Sequence, residues 1–505
     1  MIAGDELAVL PPLSPVRAIA LQARYRAGKT AIDDGVPVTY GELWSGAVRA
    51  AEGLASAGAT PGTAVAFALD PGADYVALLL GAMLTGAAAV PLNTRLRPAE
   101  VEQFLAPVAP ALVVASDPYR DLLDLVEGRD VEGLPGARGK VAVRRTVHGP
   151  IDDLAPGGLL VGTGGTTGVP KAAHFDHERL WLWTAASAAN NQVRAADVEL
   201  FVSPFFHGTL VTGVLTSLTQ GATVVTLARF DADRAVEHIA DGRITRMLGA
   251  ATIVERLVRA ARGQDLSTSR LRFLQFGMSS TRSGFAADIA AAFPGTAVIT
   301  GYGTTEYGPV TRTYSWDFDE HGDPIGVGRP VPSADIVIEA DGQLHAVGGP
   351  EGEILVSAPW QMLRYCTSDV ELQRSAFEGR YVRSGDIGRF DDDGYLHITG
   401  RLKEAIRTGG ENVFPAEVET ALHRHRSVAA CAVYGVPDPE WGERVEAAVV
   451  LEDRVVDVRE LEAHVRSLIA GYKVPKRIVL VDALPLTSLN KVDRRALRAA
   501  AVAAP

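Results

Sequence analysis

VGTGGTTGVPKAAHF, residues 161–175, puts four glycines, three threonines and one lysine into a run that no packed core requires. Backbone N–H groups left unobstructed at glycine can wrap around phosphate oxygens. Thr163, Thr166 and Thr167 add hydroxyl donors among Gly164, Gly165 and Gly168, and Lys171 adds a mobile positive charge. The preceding GGLLVG (157–162) reads as the strand that feeds this loop. The spacing departs from GxxxxGK followed by Ser or Thr, because Lys171 comes after Gly168-Val-Pro and alanine follows it. A flexible surface loop is the alternative. The composition favours a phosphate-holding loop, though not that of a P-loop ATPase.

On either side of the loop, helix and strand signals alternate. TYGELWSGAVRAAEGLASAGA (39–59) has apolar residues at helical spacing and ends in glycine. AVAFALD (64–70) is a short apolar run stopped by Pro71-Gly72, as a buried strand would be. GATVVTL (221–227), DADRAVEHIADG (231–242), RLRFLQFG (270–277) and TAVITGYG (296–303) continue the alternation, which predicts a largely parallel α/β sheet. From 325 onward, short β-like runs separated by Gly, Pro and Asp-Gly predict a hairpin-rich β subdomain. After Gly400 a smaller α+β pattern begins. PAEVETALHRH (415–425) and VRELEAHVRSLIAGY (458–472) read as helices, AACAVYGV (429–436) and EAAVVL (446–451) as strands. The expected fold is α/β. Residues 1–400 form a large N-terminal domain of stacked α/β sheets with a β-rich subdomain, and 401–505 a small α+β C-terminal domain.

Bulk properties narrow the function. A chain of 505 residues exceeds one ordinary core. A net charge of −12 argues against nucleic acid or an anionic membrane as the main partner. Cys366 and Cys431 are the only cysteines, so far apart that reduced thiols in a cytoplasmic protein are the simplest reading. The start, MIAGDELAVLPPLSP, lacks a basic region followed by an apolar one, so no secretory signal is expected. YVALLLGAMLTGAAAVPL (75–92) is rich in alanine and glycine, and it reads as a buried helix leading into a strand rather than a membrane span.

Further motifs give the loop its context. GYGTTE stands at 301–306, RSGDIGRFDDDGYLHITGR at 383–401, LKEAIRTGGENVFPAEVE at 402–419 and LPLTSLNKVDRRALR at 484–498. With the 161–175 loop and the early TYGELW…GATPGTAVAF…GAAAVPLN segment (39–93), these six in this order resemble the adenylate-forming superfamily. That superfamily includes acyl-CoA synthetases, the adenylation domains of peptide synthetases, and luciferases. The resemblance covers nearly the whole chain. It implies activation of a carboxylic acid with ATP and magnesium to acyl-AMP and pyrophosphate, then acyl transfer to a thiol, most often that of coenzyme A. It also implies that 401–505 is a mobile domain, rotating between the two half-reactions.

Residue by residue, the resemblance puts the β- and γ-phosphates in the 163–171 loop, with Lys171 at its end. In GYGTTE, Tyr302 would lie against the adenine beside Gly303 and Thr304, Thr305 would donate to the α-phosphate, and Glu306 would carry magnesium. Asp386 would accept from the ribose hydroxyls and Arg401 would assist there. Lys491 resembles the catalytic lysine that bridges the acid's carboxylate and the α-phosphate, and Lys403 occupies the hinge position. RTGGEN (407–412), with Arg407, Gly409 and Gly410, resembles the loop that replaces Lys491 for thioester formation. FGMSS (276–280), including Gly277 and Met278, would line the pocket beside the adenine. In SPFFHG (203–208), His207 is a gate for the acid or, equally, a core histidine.

Phe205, Phe206, Phe276 and Met278 favour an apolar acid, and no acidic residue stands out to bind an α-amino group. The sequence departs from the family pattern at Gly164, Ala172, Thr300, Arg364 and Asn490. A lost hydroxyl donor costs about 1 kcal/mol, so adenylation should survive these departures. The expected partners are a small-molecule carboxylic acid and a thiol of coenzyme A or a carrier protein, and a homodimer is compatible with the sequence. An acyl-CoA ligase is the first reading, and a stand-alone adenylation enzyme serving a carrier protein or separate enzyme is the second. A degenerate nucleotide-binding protein is the third; retention of Thr305, Glu306, Asp386, Arg401 and Lys491 argues against it.

Overall fold

The computed structural model describes residues 10–135, 140–149, 151, 154–163, 171–227, 229–277, 284–320, 322–452, 456–486 and 492–503. One sheet holds nine strands, with a parallel centre built from Thr30–Asp33, Thr223–Thr226, Val198–Phe201, Arg246–Ala250, Phe273–Gly277 and Ala297–Thr300 in that spatial order. A second sheet of eight strands has a parallel centre of Leu159–Thr163, Ala88–Pro91, Ala64–Ala68 and Leu112–Ala115. The expected alternation is therefore present in stacked sheets, each with a parallel centre and antiparallel edges. Short hairpins supply those edges, among them Gly128–Pro135 with Lys140–Thr146.

Local chemistry explains the elements between. Helix Tyr40–Ala57 starts at a capping box, in which Thr39 and Glu42 satisfy each other's backbone N–H, and ends at Gly58 in the left-handed conformation. The apolar run after Gly72 is helix Ala73–Leu84, with 10 of its 12 residues buried, followed by strand Ala88–Pro91. Helices Tyr40–Ala57, Ala73–Leu84 and His177–Asn190 share one buried apolar cluster with Phe67, Val114 and Val161 of one sheet and Phe201, Val224 and Leu248 of the other. They are the layer that stacks the two sheets.

The β subdomain is an antiparallel sheet in which Asp335–Ala340, Gly352–Ser357, Tyr381–Phe390 and Leu396–Arg401 are successive neighbours. Its Asp341-Gly342 turn has both residues at positive φ, as a two-residue hairpin of this type demands. Beyond Arg401 a separate five-stranded sheet packs with helices Pro415–His423, Val458–Leu468 and Arg494–Ala503. The helix read over 458–472 stops at Leu468, and Gly471–Lys473 forms a short 3-10 turn instead. Gly471 and the oncoming Pro475 both oppose continued α-helix. Cys366 and Cys431 are buried free thiols. Among the described residues no helix is long and apolar enough to cross a membrane.

Two groups in this core generate predictions. The Tyr75 ring packs edge-on to Phe205 at 5.2 Å, and its buried hydroxyl has no hydrogen-bond partner among the described residues. Tyr75→Phe should therefore raise stability by about 1 kcal/mol in chemical denaturation, since it removes an unsatisfied polar group without changing shape. The second group is a histidine pair. Ser14 Oγ meets His177 Nδ1 at 2.9 Å, and the Ala155 N–H donates to His174 Nε2 at 3.3 Å. Burial lowers both imidazoles to about 4, so the unfolded chain takes up protons first as pH falls. The stability they preserve near neutrality is lost between roughly pH 6.5 and 4, on the order of 3 kcal/mol per imidazole. Denaturation midpoints measured across that range should drop, and His177→Gln should make the drop shallower.

Candidate active site

Ligands of open α/β sheets bind beyond the carboxyl ends of the strands. Strands Val198–Phe201, Arg246–Ala250, Phe273–Gly277 and Ala297–Thr300 are parallel neighbours, so segments 203–208 and 301–306 and Gly277 leave the same edge. A methyl group placed on Gly277 would come within 4.0 Å of the Gly301 carbonyl oxygen. Residues nearly a hundred positions apart thus converge by register alone.

The glycine-rich loop is held by the second sheet. Leu159–Thr163 pairs antiparallel with Lys171–Phe175, and Thr163 lies opposite Lys171. Gly164, Gly165, Thr166, Thr167 and Gly168 fall outside the described residues, as does Met278. The strand Arg364–Cys366 joins on the far side, with Tyr365 opposite Ala173. The Lys171 ammonium lies 5.0 Å from the centre of the Tyr365 ring, and the Tyr365 hydroxyl donates to Glu306 Oε1 at 2.8 Å. Burial lowers the Lys171 pKa, the charge of Lys403 pushes the same way, and Glu306 and Asp369 oppose it. Lys171, Glu306, Tyr365 and Lys403 therefore share one electrostatic neighbourhood.

The GYGTTE turn is a short hairpin, with Gly303 opposite Pro309 and Thr304 opposite Gly308. Tyr302 is buried, its N–H held by Thr311 Oγ1 at 2.8 Å. Its hydroxyl donates to Asp386 Oδ2 at 2.7 Å and lies 2.5 Å from the Tyr307 hydroxyl, which must then be the donor in that second contact. Burial, with the Asp386 charge adding to it, raises both phenols far above the usual tyrosine value, so both stay protonated. The other Asp386 oxygen meets Arg401 Nε at 2.8 Å, across the last pair of a strand ladder. Asp386 is only 3% exposed, which makes the guanidinium and the phenol necessary partners rather than ornaments.

On the opposite wall, His207 is half-buried, whereas Phe205 and Phe206 are buried. His207 is more exposed than its two aromatic neighbours. The segment after it, Leu210–Leu215, is a fully buried π-helical turn, a conformation frequent at functional sites. Trp183 locks this wall to the GYGTTE hairpin. Its indole N–H donates to Thr212 Oγ1 at 3.0 Å, and a methyl group on Gly308 would meet the indole at 2.7 Å. Thr305 lies on the same side: a methyl group on Gly208 would be 3.6 Å from its Cα.

Past Arg401, Lys403 sits in the short turn Leu402–Glu404. Ile406–Thr408 and Glu411–Val413 form a hairpin whose two-residue turn is Gly409-Gly410, both at positive φ, and Arg407 is exposed on it. Lys491 lies outside the described residues, but the stretch carrying it is closed by a bridge between Leu486 and Val492. Arg494 then ties this part down through Glu419 at 2.7 Å and Glu404 at 3.6 Å.

Motif reading missed three contributors. Trp183, Tyr307 and Tyr365 work only through contacts with residues far away in sequence, and nothing in their local sequence signals it. Magnesium fits the residues present. Glu306 offers a hard oxygen with one carboxylate oxygen already fixed, which suits an ion held mainly by phosphate oxygens and water. Among the described residues, no group of three or more His, Cys, Asp or Glu could form a protein-only cage.

Known families and structures resemble nearly the whole chain. The family model for AMP-binding enzymes matches residues 19–366, and that for the AMP-binding enzyme C-terminal domain matches 417–491. A feruloyl-CoA synthase of an Amycolatopsis species is 32% identical over 493 residues, covering 96% of this chain and 97% of that protein. An indoleacetate–CoA ligase of Aromatoleum aromaticum is 32% identical over 492 residues, covering 93% and 95%. The structure of the O-succinylbenzoate coenzyme A synthetase of Bacillus subtilis in complex with AMP superposes with a TM-score of 0.81 at 26% identity, covering 95% of this chain and 98% of that one. With both parts matched in order, the chain belongs to the AMP-binding, adenylate-forming enzyme family, as an acid–thiol ligase that uses ATP and magnesium to activate a carboxylic acid as acyl-AMP and then passes the acyl group to coenzyme A.

Proposed function

We propose that the substrate is a hydrophobic carboxylic acid, and that Lys491, Glu306, Thr305 and His207 act on it at the junction of the two sheets. The observation that carries this reading is the meeting of Lys171, Tyr365 and Glu306, which aims a cation and a hard anion at one spot. In the first half-reaction an acid oxygen attacks the α-phosphorus, the bond to the bridging oxygen breaks, and pyrophosphate leaves. Charge builds on the phosphate oxygens in that step, so fixed cations and donors lower its barrier. The loop at 163–168 and Lys171 would receive the leaving pyrophosphate, and Thr305 would donate to the α-phosphate. When bound at Glu306, magnesium would neutralise phosphate charge. Tyr302, Gly303 and Thr304, with Gly277 and Met278, would flank the adenine. Asp386 has lone pairs beyond those used by Tyr302 and Arg401, which suits it to ribose hydroxyls.

An apolar acid is supported by the buried wall beside His207: Phe205, Phe206, Leu210, Val211 and Trp183. Aryl acids come first among the candidates, because the two curated relatives described above are named for feruloyl and indoleacetate substrates. In the second half-reaction the coenzyme A sulfur attacks the acyl carbon, AMP leaves with the electron pair, and the thiol proton passes to solvent. Arg407, Gly409 and Gly410 would border that thiol's path, and 401–505 would move as a unit about Lys403 to bring them in. What supports this division is that strand Leu396–Arg401 ends one sheet and Ile406–Thr408 begins another. We place the reaction in the cytoplasm, in keeping with two buried, unpaired thiols.

Two outcomes test the reading. Pyrophosphate release should rise with aryl or other apolar acids over polar ones, with mass spectrometry showing an acyl-CoA only when coenzyme A is added. Acyl-AMP with no thioester would move the thiol step to a carrier protein or separate enzyme. Lys491→Ala should slow acyl-AMP formation by about 100-fold or more, the scale of losing one donor to a charged transition state. It should leave thioester formation from preformed acyl-AMP within a few-fold. Equal loss of both half-reactions would remove the role given to Lys491.

A further inference from the structure

The strand Arg364–Cys366 does more than complete a sheet edge. Its hydrogen-bonded partner is the strand that begins at Lys171, and the Leu363 N–H also donates to the His174 carbonyl at 2.8 Å. On the other side the Met362 N–H donates to the Glu306 carbonyl at 2.7 Å. Segment 362–366 is thus a strap between the end of the phosphate loop and the metal-holding glutamate. Tyr365 sits at its middle, only 8% exposed, with its N–H held by Gln373 Oε1 at 3.0 Å. Its ring faces the Lys171 ammonium and its hydroxyl holds the Glu306 carboxylate. Lys171 and Glu306 carry opposite charges and lie close enough to feel each other, yet each is engaged by a different part of one phenol.

We propose that Tyr365 is a positioning residue for the ATP–magnesium complex: its ring fixes Lys171 for phosphate and its hydroxyl fixes Glu306 for the metal, keeping the two charges from pairing with each other before the nucleotide arrives. The inference rests on the roles proposed above for Lys171 and Glu306. It goes beyond them in assigning one side chain two separable duties. A cation over an aromatic face needs the ring but not the hydroxyl, and the carboxylate contact needs the hydroxyl. Removing the hydroxyl alone should therefore weaken the metal's part of binding and spare the metal-free part.

The test is calorimetric titration of ATP with no acid present, once with magnesium in excess and once with a chelator. The wild-type chain should bind ATP more tightly with the metal. Tyr365→Phe should keep metal-free affinity within about twofold and lose roughly tenfold of the magnesium enhancement, the scale of a hydrogen bond to a charged group. Tyr365→Leu should weaken ATP binding under both conditions. Glu306→Gln should lose the same enhancement, and adding Tyr365→Phe to it should cost nothing further; this cycle gives an answer even if Tyr365→Phe lowers the melting temperature. Full magnesium enhancement in Tyr365→Phe, or identical losses in the Phe and Leu variants, would overturn the proposal alone. A wild-type chain that binds no ATP would overturn it together with the nucleotide site.

Discussion

The parallel ladder from Val198–Phe201 through Ala297–Thr300 decides where everything else goes. Parallel pairing fixes each strand's register and makes every connection return over a face of the sheet, so all the carboxyl ends emerge on one edge. Short segments after Phe201, Gly277 and Thr300 then meet without any being adjacent in sequence. The second sheet contributes by its opposite device, an antiparallel hairpin that brings Thr163 and Lys171 back to the same point. One sheet gathers walls and the other presents a loop; the buried helices between them set the distance.

Within that frame the site is stabilised by sharing rather than by isolated pairs. Asp386 would be costly to bury alone, but a guanidinium on one oxygen and a phenol on the other make it tolerable. The phenol is supported in turn by Tyr307. The Arg401 side chain remains 44% exposed, so this network touches solvent at its rim. Trp183 ties the Phe205–Thr212 wall to the GYGTTE hairpin through both its N–H and its face, so a shift in one is felt in the other.

Much of this was legible in the sequence. The alternation of apolar runs with capped helices fixes the α/β class because buried strands and amphipathic helices leave different periods. The motifs point to Tyr302, Asp386 and Arg401, and the structure brings those three into direct contact. The stacking of sheets was legible, but which strands pair in each was not, since period and composition do not say which strands share a ladder. Nor was the π-helical turn at Leu210–Leu215, because Leu210, Val211, Val214, Leu215 and Leu218 recur at ordinary helical spacing and give no sign of a wider turn. Tyr365 sits in a segment remarkable in sequence only for the arginine before it. Its partners are 194 and 59 residues away, so only folding reveals them.

Acyl-AMP is a mixed anhydride, and it acylates thiolates without regard to whose they are. The chain has two cysteines, and Cys366 stands next to Tyr365, beside the strand that starts at Lys171. Its thiol is turned to the Pro107 carbonyl, and burial raises its pKa; Cys431 is likewise buried, against the Glu419 carbonyl, with its pKa raised further. Both stay as inert S–H groups at neutral pH, since the thiolate is the nucleophile. An enzyme whose second substrate is a thiol is thereby spared from becoming its own acceptor.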